Sequence, residues 1–108
     1  MPSLNVLEKP VRERIALNSW TLDSTDPLSF LRLAADCGYA AVELRMADFN
    51  KLRDSTEAVD LVKSGGLAVA SLGADGIMVQ ADQAAQTAWF TRLEAASRTA
   101  ADMGCDTI

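Results

Sequence analysis

The chain has 108 residues, 49% hydrophobic and 23% charged, with a net charge of −5 and no histidine. That length holds one domain with one modest core, and that composition belongs to an ordinary folded protein rather than a disordered or fibrous one. The acidic balance with scattered Lys and Arg argues against nucleic acid as a partner, and the missing imidazole removes His-based zinc sites and Ser-His or Cys-His nucleophile pairs.

The start, M-P-S-L-N-V-L-E-K-P-V-R-E, lacks the basic segment and apolar run of a signal peptide, and no later run approaches bilayer length. The reading is a cytoplasmic protein with no membrane partner. Cys37 and Cys105 show no ligand-like spacing, so they read as small apolar residues rather than a disulfide or a metal site. Residues 1–13 read as a lead-in segment and 14–108 as the domain.

Arg14 to Asn18, R-I-A-L-N, alternates at period two and predicts a short strand. Asp26 before Pro27 is a helix N-cap followed by proline at the first helical position, with Leu28, Leu31 and Ala35 as an apolar stripe. Gly38 ends that helix in a left-handed turn, over which Tyr39 folds back. A second strand is expected over Ala41 to Met46. Asp54 and Glu57 resemble a capping box for a second helix, with Ala58, Val59 and Val62 on its apolar face and Gly65-Gly66 at its end.

Leu67 to Leu72 predicts a third strand whose alternation is too weak to assign its faces. A longer helix is expected over Gln83 to Met103, with Trp89, Leu93, Ala96, Ala100 and Met103 on one stripe and Gly104 closing it. Thr107-Ile108 then opens a fourth strand. The helix-stop and strand-start A-D-C-G-Y-A-A-V (Ala35–Val42) recurs as A-D-M-G-C-D-T-I (Ala101–Ile108), so the chain repeats one supersecondary unit. Strands alternating with helices over short connections predict an α/β fold with neighbouring parallel strands. No G-x-G-x-x-G or Walker loop is present, which leaves nucleotide binding unsupported.

The informative strand is A-V-E-L-R-M. Val42, Leu44 and Met46 share one face, Ala41, Glu43 and Arg45 the other. Parallel strands covered on both sides read as continuous apolar runs, so two charges on one face point to a barrel lumen whose carboxyl end lines a site. On the first strand Ile15 and Leu17 face the helices while Ala16, Asn18 and Trp20 face the lumen. Asn18, Glu43 and Arg45 therefore converge on one rim. The competing reading makes Glu43 and Arg45 a solvent-facing ion pair. Trp89 reads as a helix-packing residue, and Asp23, Asp48 and Asp75 as turn and capping residues.

The segments I-A-L-N, D-C-G-Y, A-V-E-L-R-M-A-D and L-A-V-A-S-L together resemble the start of the xylose isomerase-like TIM barrels. They are most similar to the sugar phosphate isomerase/epimerase group and its inosose isomerase-like members. The resemblance implies the N-terminal part of a (β/α)8 TIM barrel, three βα units and the start of a fourth strand, in a fold that needs about 250 residues when complete. It implies a metal-dependent sugar or polyol isomerase or epimerase. There a divalent metal (Zn, Mn, Mg or Co), bound by Glu, Asp and His from later strands, works with a carboxylate base.

None of those ligand or base positions falls in this chain, so no catalytic or metal residue is assigned; what the resemblance carries over is a contribution to the substrate pocket by Asn18, Trp20, Glu43 and Arg45. The expectation is a fragment or truncated product, inactive alone, whose open sheet edges invite self-association. Two alternatives stand beside it: a self-contained non-catalytic interaction module, and an abasic-site endonuclease-like barrel, which the acidic balance disfavours.

Overall fold

A computed structural model describes residues 10, 15–22, 26–76, 80–105 and 107. In chain order the elements are β1 (Ala16–Asn18), a 3-10 turn (Ser19–Leu22), α1 (Pro27–Asp36), β2 (Ala41–Arg45), α2 (Met46–Lys51), α3 (Thr56–Ser64), β3 (Ala68–Gly73) and α4 (Gln83–Asp102). The strands form one parallel sheet in the order β1-β2-β3. The lead-in over residues 1–13 apart from Pro10, the Arg14 start of the first strand, Asp23 and Ile108 lie outside the described residues.

Each helix begins where the sequence supplies an acceptor for its unpaired amides. The Asp26 carboxylate accepts from Leu28 N at 3.1 Å and Ser29 N at 3.3 Å, with Pro27 at the first helical position. Those bonds, led by the one from the Ser29 hydroxyl, hold the Asp26 carboxyl below its ordinary value. For α4 the cap is Asp82, accepting from Ala85 N at 2.7 Å. The capping box expected from Asp54 and Glu57 is corrected by one residue. Ser55 is the cap, accepting from Ala58 N at 3.1 Å, while Asp54 turns the chain at φ 59 and Glu57 pairs with Arg32.

The three longer helices end alike. Gly38, Gly66 and Gly104 take φ of 81, 63 and 83, the left-handed conformation that only glycine adopts without strain. The residue after each glycine then bonds back to the last turn: Tyr39 N to Ala34 O at 3.0 Å, Leu67 N to Val62 O at 3.1 Å and Cys105 N to Ala100 O at 2.8 Å. This closed stop turns the chain straight into a strand. After the third stop, Leu72 N donates to Thr107 O at 2.8 Å, so Thr107 sits beside β3 where a fourth strand would start.

The core lies between one sheet face and the helices. It joins Val42 and Leu44 of β2 and Val69 and Leu72 of β3 to Phe30, Leu31 and Ala34 of α1, Met46 and Phe49 of α2, Ala58 and Val62 of α3, and Ala96 and Ala100 of α4. Burying a side chain such as Phe49 or Leu31 stabilises the fold by about 2 kcal/mol each. The α1 stripe is thus rotated from the expected one, with Phe30 and Ala34 taking the innermost positions beside Leu31.

Two further differences have local causes. β2 stops at Arg45 instead of Met46, because the Asp48 carboxylate accepts from Arg45 N at 3.0 Å and starts α2, a helix the periodicity does not announce. β3 carries a bulge: Val42 pairs with Val69 but Glu43 pairs with Ser71, leaving Ala70 as the extra residue. The bulge reverses the side-chain parity. Val69 and Leu72, three residues apart, both reach the core, which is why the alternation of this strand looks weak in the sequence.

Candidate functional site

On the face opposite the helices the register stacks side chains in rows. Ala16, Ala41 and Ala68 align as a row of small residues near the amino ends of the strands. Toward the carboxyl ends Asn18, Glu43 and Ser71 form a polar row, followed by Arg45 beside Gly73. The expected division of β2 holds: Val42 and Leu44 are buried while Ala41, Glu43 and Arg45 are half-buried. On β1 Leu17 packs against the core, whereas Ile15, expected to face the helices, is exposed.

The polar row has a fixed hydrogen-bond polarity. Trp20 N donates to Asn18 Oδ1 at 2.8 Å, and a backbone amide can only donate, so the Asn18 carbonyl faces it. The Asn18 Nδ2 amide is thereby turned to Glu43 Oε2, which accepts at 3.0 Å. Asn18, Trp20 and Glu43 are thus tied together across the ends of β1 and β2. The Trp20 side chain stays out of the core at 66% exposure.

Arg45 reaches forward rather than standing as a lone charge on the rim. Its Nε lies 3.1 Å from Asp48 Oδ2 and its Nη2 3.2 Å from Oδ1, a two-point clamp, while Ser19 Oγ donates to Asp48 Oδ2 at 2.6 Å. Asp48 is 2% exposed and Ser19 3%. Burial by itself would push the Asp48 carboxyl up. The bonds from the Arg45 side chain, the Ser19 hydroxyl and the Arg45 amide, with the guanidinium charge, outweigh it and hold the group below its ordinary value. Asp48 is thus more than the turn residue expected: it ties the loop after β1 to the end of β2.

Ser19 and Asp48 are the site-forming residues that the sequence reading did not select. The signal for Asp48 is its i+3 spacing from Arg45, whereas Ser19 lies 29 residues away from it and carries no pattern. Trp89 is half-buried, its Nε1 donating to Asp75 O at 2.9 Å and its ring meeting the exposed Phe90 edge-on at 5.0 Å, while Leu93 on the same helix packs against the core. A cleft lined by Leu52, Asp54, Val59, Thr99, Asp102 and Met103 lies elsewhere and shares no residue with the polar row. Cys37 is exposed, Cys105 buried, and both are free. Among the described residues no group of three or more His, Cys, Asp or Glu could hold a metal ion, and no helix is long and apolar enough to cross a membrane.

The architecture has a counterpart among solved structures. A xylose isomerase domain protein from Alicyclobacillus acidocaldarius subsp. acidocaldarius superposes with a TM-score of 0.62 at 19% identity, over 83% of this chain. The fold is that of part of a TIM barrel. This partial barrel spans 33% of the length of that solved chain. No family model matches the sequence, and no curated protein does. The row of Asn18, Glu43 and Ser71 lies at the strand ends where βα barrels assemble their active sites.

Proposed function

We propose that the chain supplies the first βα units of a sugar or polyol isomerase or epimerase, and that Asn18, Trp20, Glu43 and Arg45 line part of its substrate pocket. The observation that carries this reading is the Asn18–Glu43 hydrogen bond at the carboxyl ends of β1 and β2, on the helix-free face of a xylose isomerase-like fold. Glu43 presents a carboxylate to substrate hydroxyls. Asn18 aims it, and the Asp48 clamp keeps Arg45 in one rotamer beside it.

Enzymes of this kind use a divalent metal to polarise the substrate's oxygens. The described residues do not fit that ion, since they offer no cluster of three or more ligands, and no step is routed through it. The metal site and the base of the reaction are assigned to residues outside this set.

Titration of the 15N-labelled chain with the neutral polyol myo-inositol tests the pocket. Shifts are expected at the Asn18 side-chain amide, the Trp20 indole and the amides of Glu43 and Arg45. A spectrum that does not move, or moves only around Leu52, Val59 and Met103, overturns the pocket and favours a non-catalytic module. Metal-dependent isomerase turnover by the 108-residue chain would overturn the placement of metal ligands outside the described residues.

A further inference from the structure

The geometry points to an uncharged polyhydroxylated group, not a phosphorylated one, as the ligand of the subsite at the carboxyl ends of β1 and β2. This rests on the pocket reading above and narrows its substrate class. Arg45 is the sole cation in the stretches 15–22, 41–45 and 68–76 that form the strands and their ends. A guanidinium available to an anion would make this a phosphate or carboxylate subsite. Here it is committed through Nε and Nη2 to Asp48, a carboxylate closed off from solvent at 2% exposure and fixed again by Ser19. The Arg45–Asp48 pair is close to neutral as seen from the pocket.

Glu43 then sets the sign of the subsite. Its side chain is half-buried, and the partner it has across the sheet, Asn18, is neutral. A phosphate brought beside it meets a like charge in a partly desolvated place, which opposes binding. A hydroxyl group meets an acceptor carboxylate whose orientation is set in advance by the Asn18 amide. The exposed indole of Trp20, on the turn directly after Asn18, adds an apolar surface suited to the C–H face of a sugar or cyclitol ring. Carboxylate, amide and indole together make a carbohydrate-type subsite without a phosphate anchor.

The matched pair myo-inositol and myo-inositol 1-phosphate, titrated into the labelled chain at low ionic strength, reads this directly. The neutral compound should shift the Asn18 and Trp20 signals with an affinity about tenfold or more above that of the phosphate ester. Glu43→Gln, which keeps the side-chain shape, should weaken the neutral ligand severalfold and narrow the gap to the ester. Tighter binding of the ester, lost in Arg45→Gln, overturns the inference while leaving the pocket reading in place. Silence from both ligands overturns the pocket reading and the inference with it.

Discussion

Asp48 does three jobs with two oxygen atoms: it starts α2 by accepting from the Arg45 amide, clamps the Arg45 guanidinium, and takes the Ser19 hydroxyl. Its carboxyl titrates below the ordinary 3.8 in the folded chain, so the charged form stabilises the fold above that pH. This stabilisation is lost as the pH falls through 3.8 toward the lowered value. Asp48→Asn should therefore cost about 2 kcal/mol at pH 7 and progressively less in acid, as urea midpoints of the two proteins at pH 7 and pH 3 would report. A gap that stays constant with pH would show that the carboxylate charge is not what holds the pair. Little of this was legible from the sequence. An aspartate near a strand end is an ordinary turn residue, and only the approach of Ser19 from another loop makes Asp48 a buried hub.

At the scale of elements the helix stops were readable, because Gly38, Gly66 and Gly104 mark a backbone geometry that other residues resist. Gly104→Ala should cost about 1 kcal/mol from backbone strain, since nothing lies within 4 Å of where its Cβ would be. Ser55→Ala should cost about 1 kcal/mol through the lost cap, whereas Asp54→Ala leaves that cap intact. Chemical denaturation separates these cases, and a neutral Ser55→Ala would return the cap to Asp54.

Two elements were hidden for definable reasons. α2 follows β2 with no glycine or proline between them, so periodicity runs one pattern into the next. The β3 bulge changes the phase of the pattern midway, and a strand that changes phase has no single period to detect. The polar row was half legible: Glu43 and Arg45 stood out as charges on one strand face, but Ser71 joins them only because Ala70 slips.

For the molecule as a whole, β2 is the strand with a neighbour on each side and the core against one face. β1 has a single partner in this sheet and is only three residues long. Hydrogen exchange should accordingly be slowest at the Val42 and Leu44 amides and faster through β1 by at least an order of magnitude. Equal protection across the strands would mean that β1 is closed on its other side in solution. The fold class followed from the strand–helix alternation and the short connections, which leave parallel neighbours as the workable arrangement.

The single unpaired residue in β3 also sets how this strand tolerates change in length. Upstream of Ala70 the strand is in step with β2 in one phase, and downstream in the other, with Val69 and Leu72 both on the core side. Deleting Ala70 would straighten the ladder and keep both halves in phase, with Val69 still opposite Val42 and Ser71 still opposite Glu43. Deleting Val69 or Ser71 instead would cost a core side chain or a member of the row beside Glu43. The strand therefore carries one spare residue: it can shorten by one at Ala70 and keep both faces, whereas losing any other residue gives up a side chain that one of those faces uses.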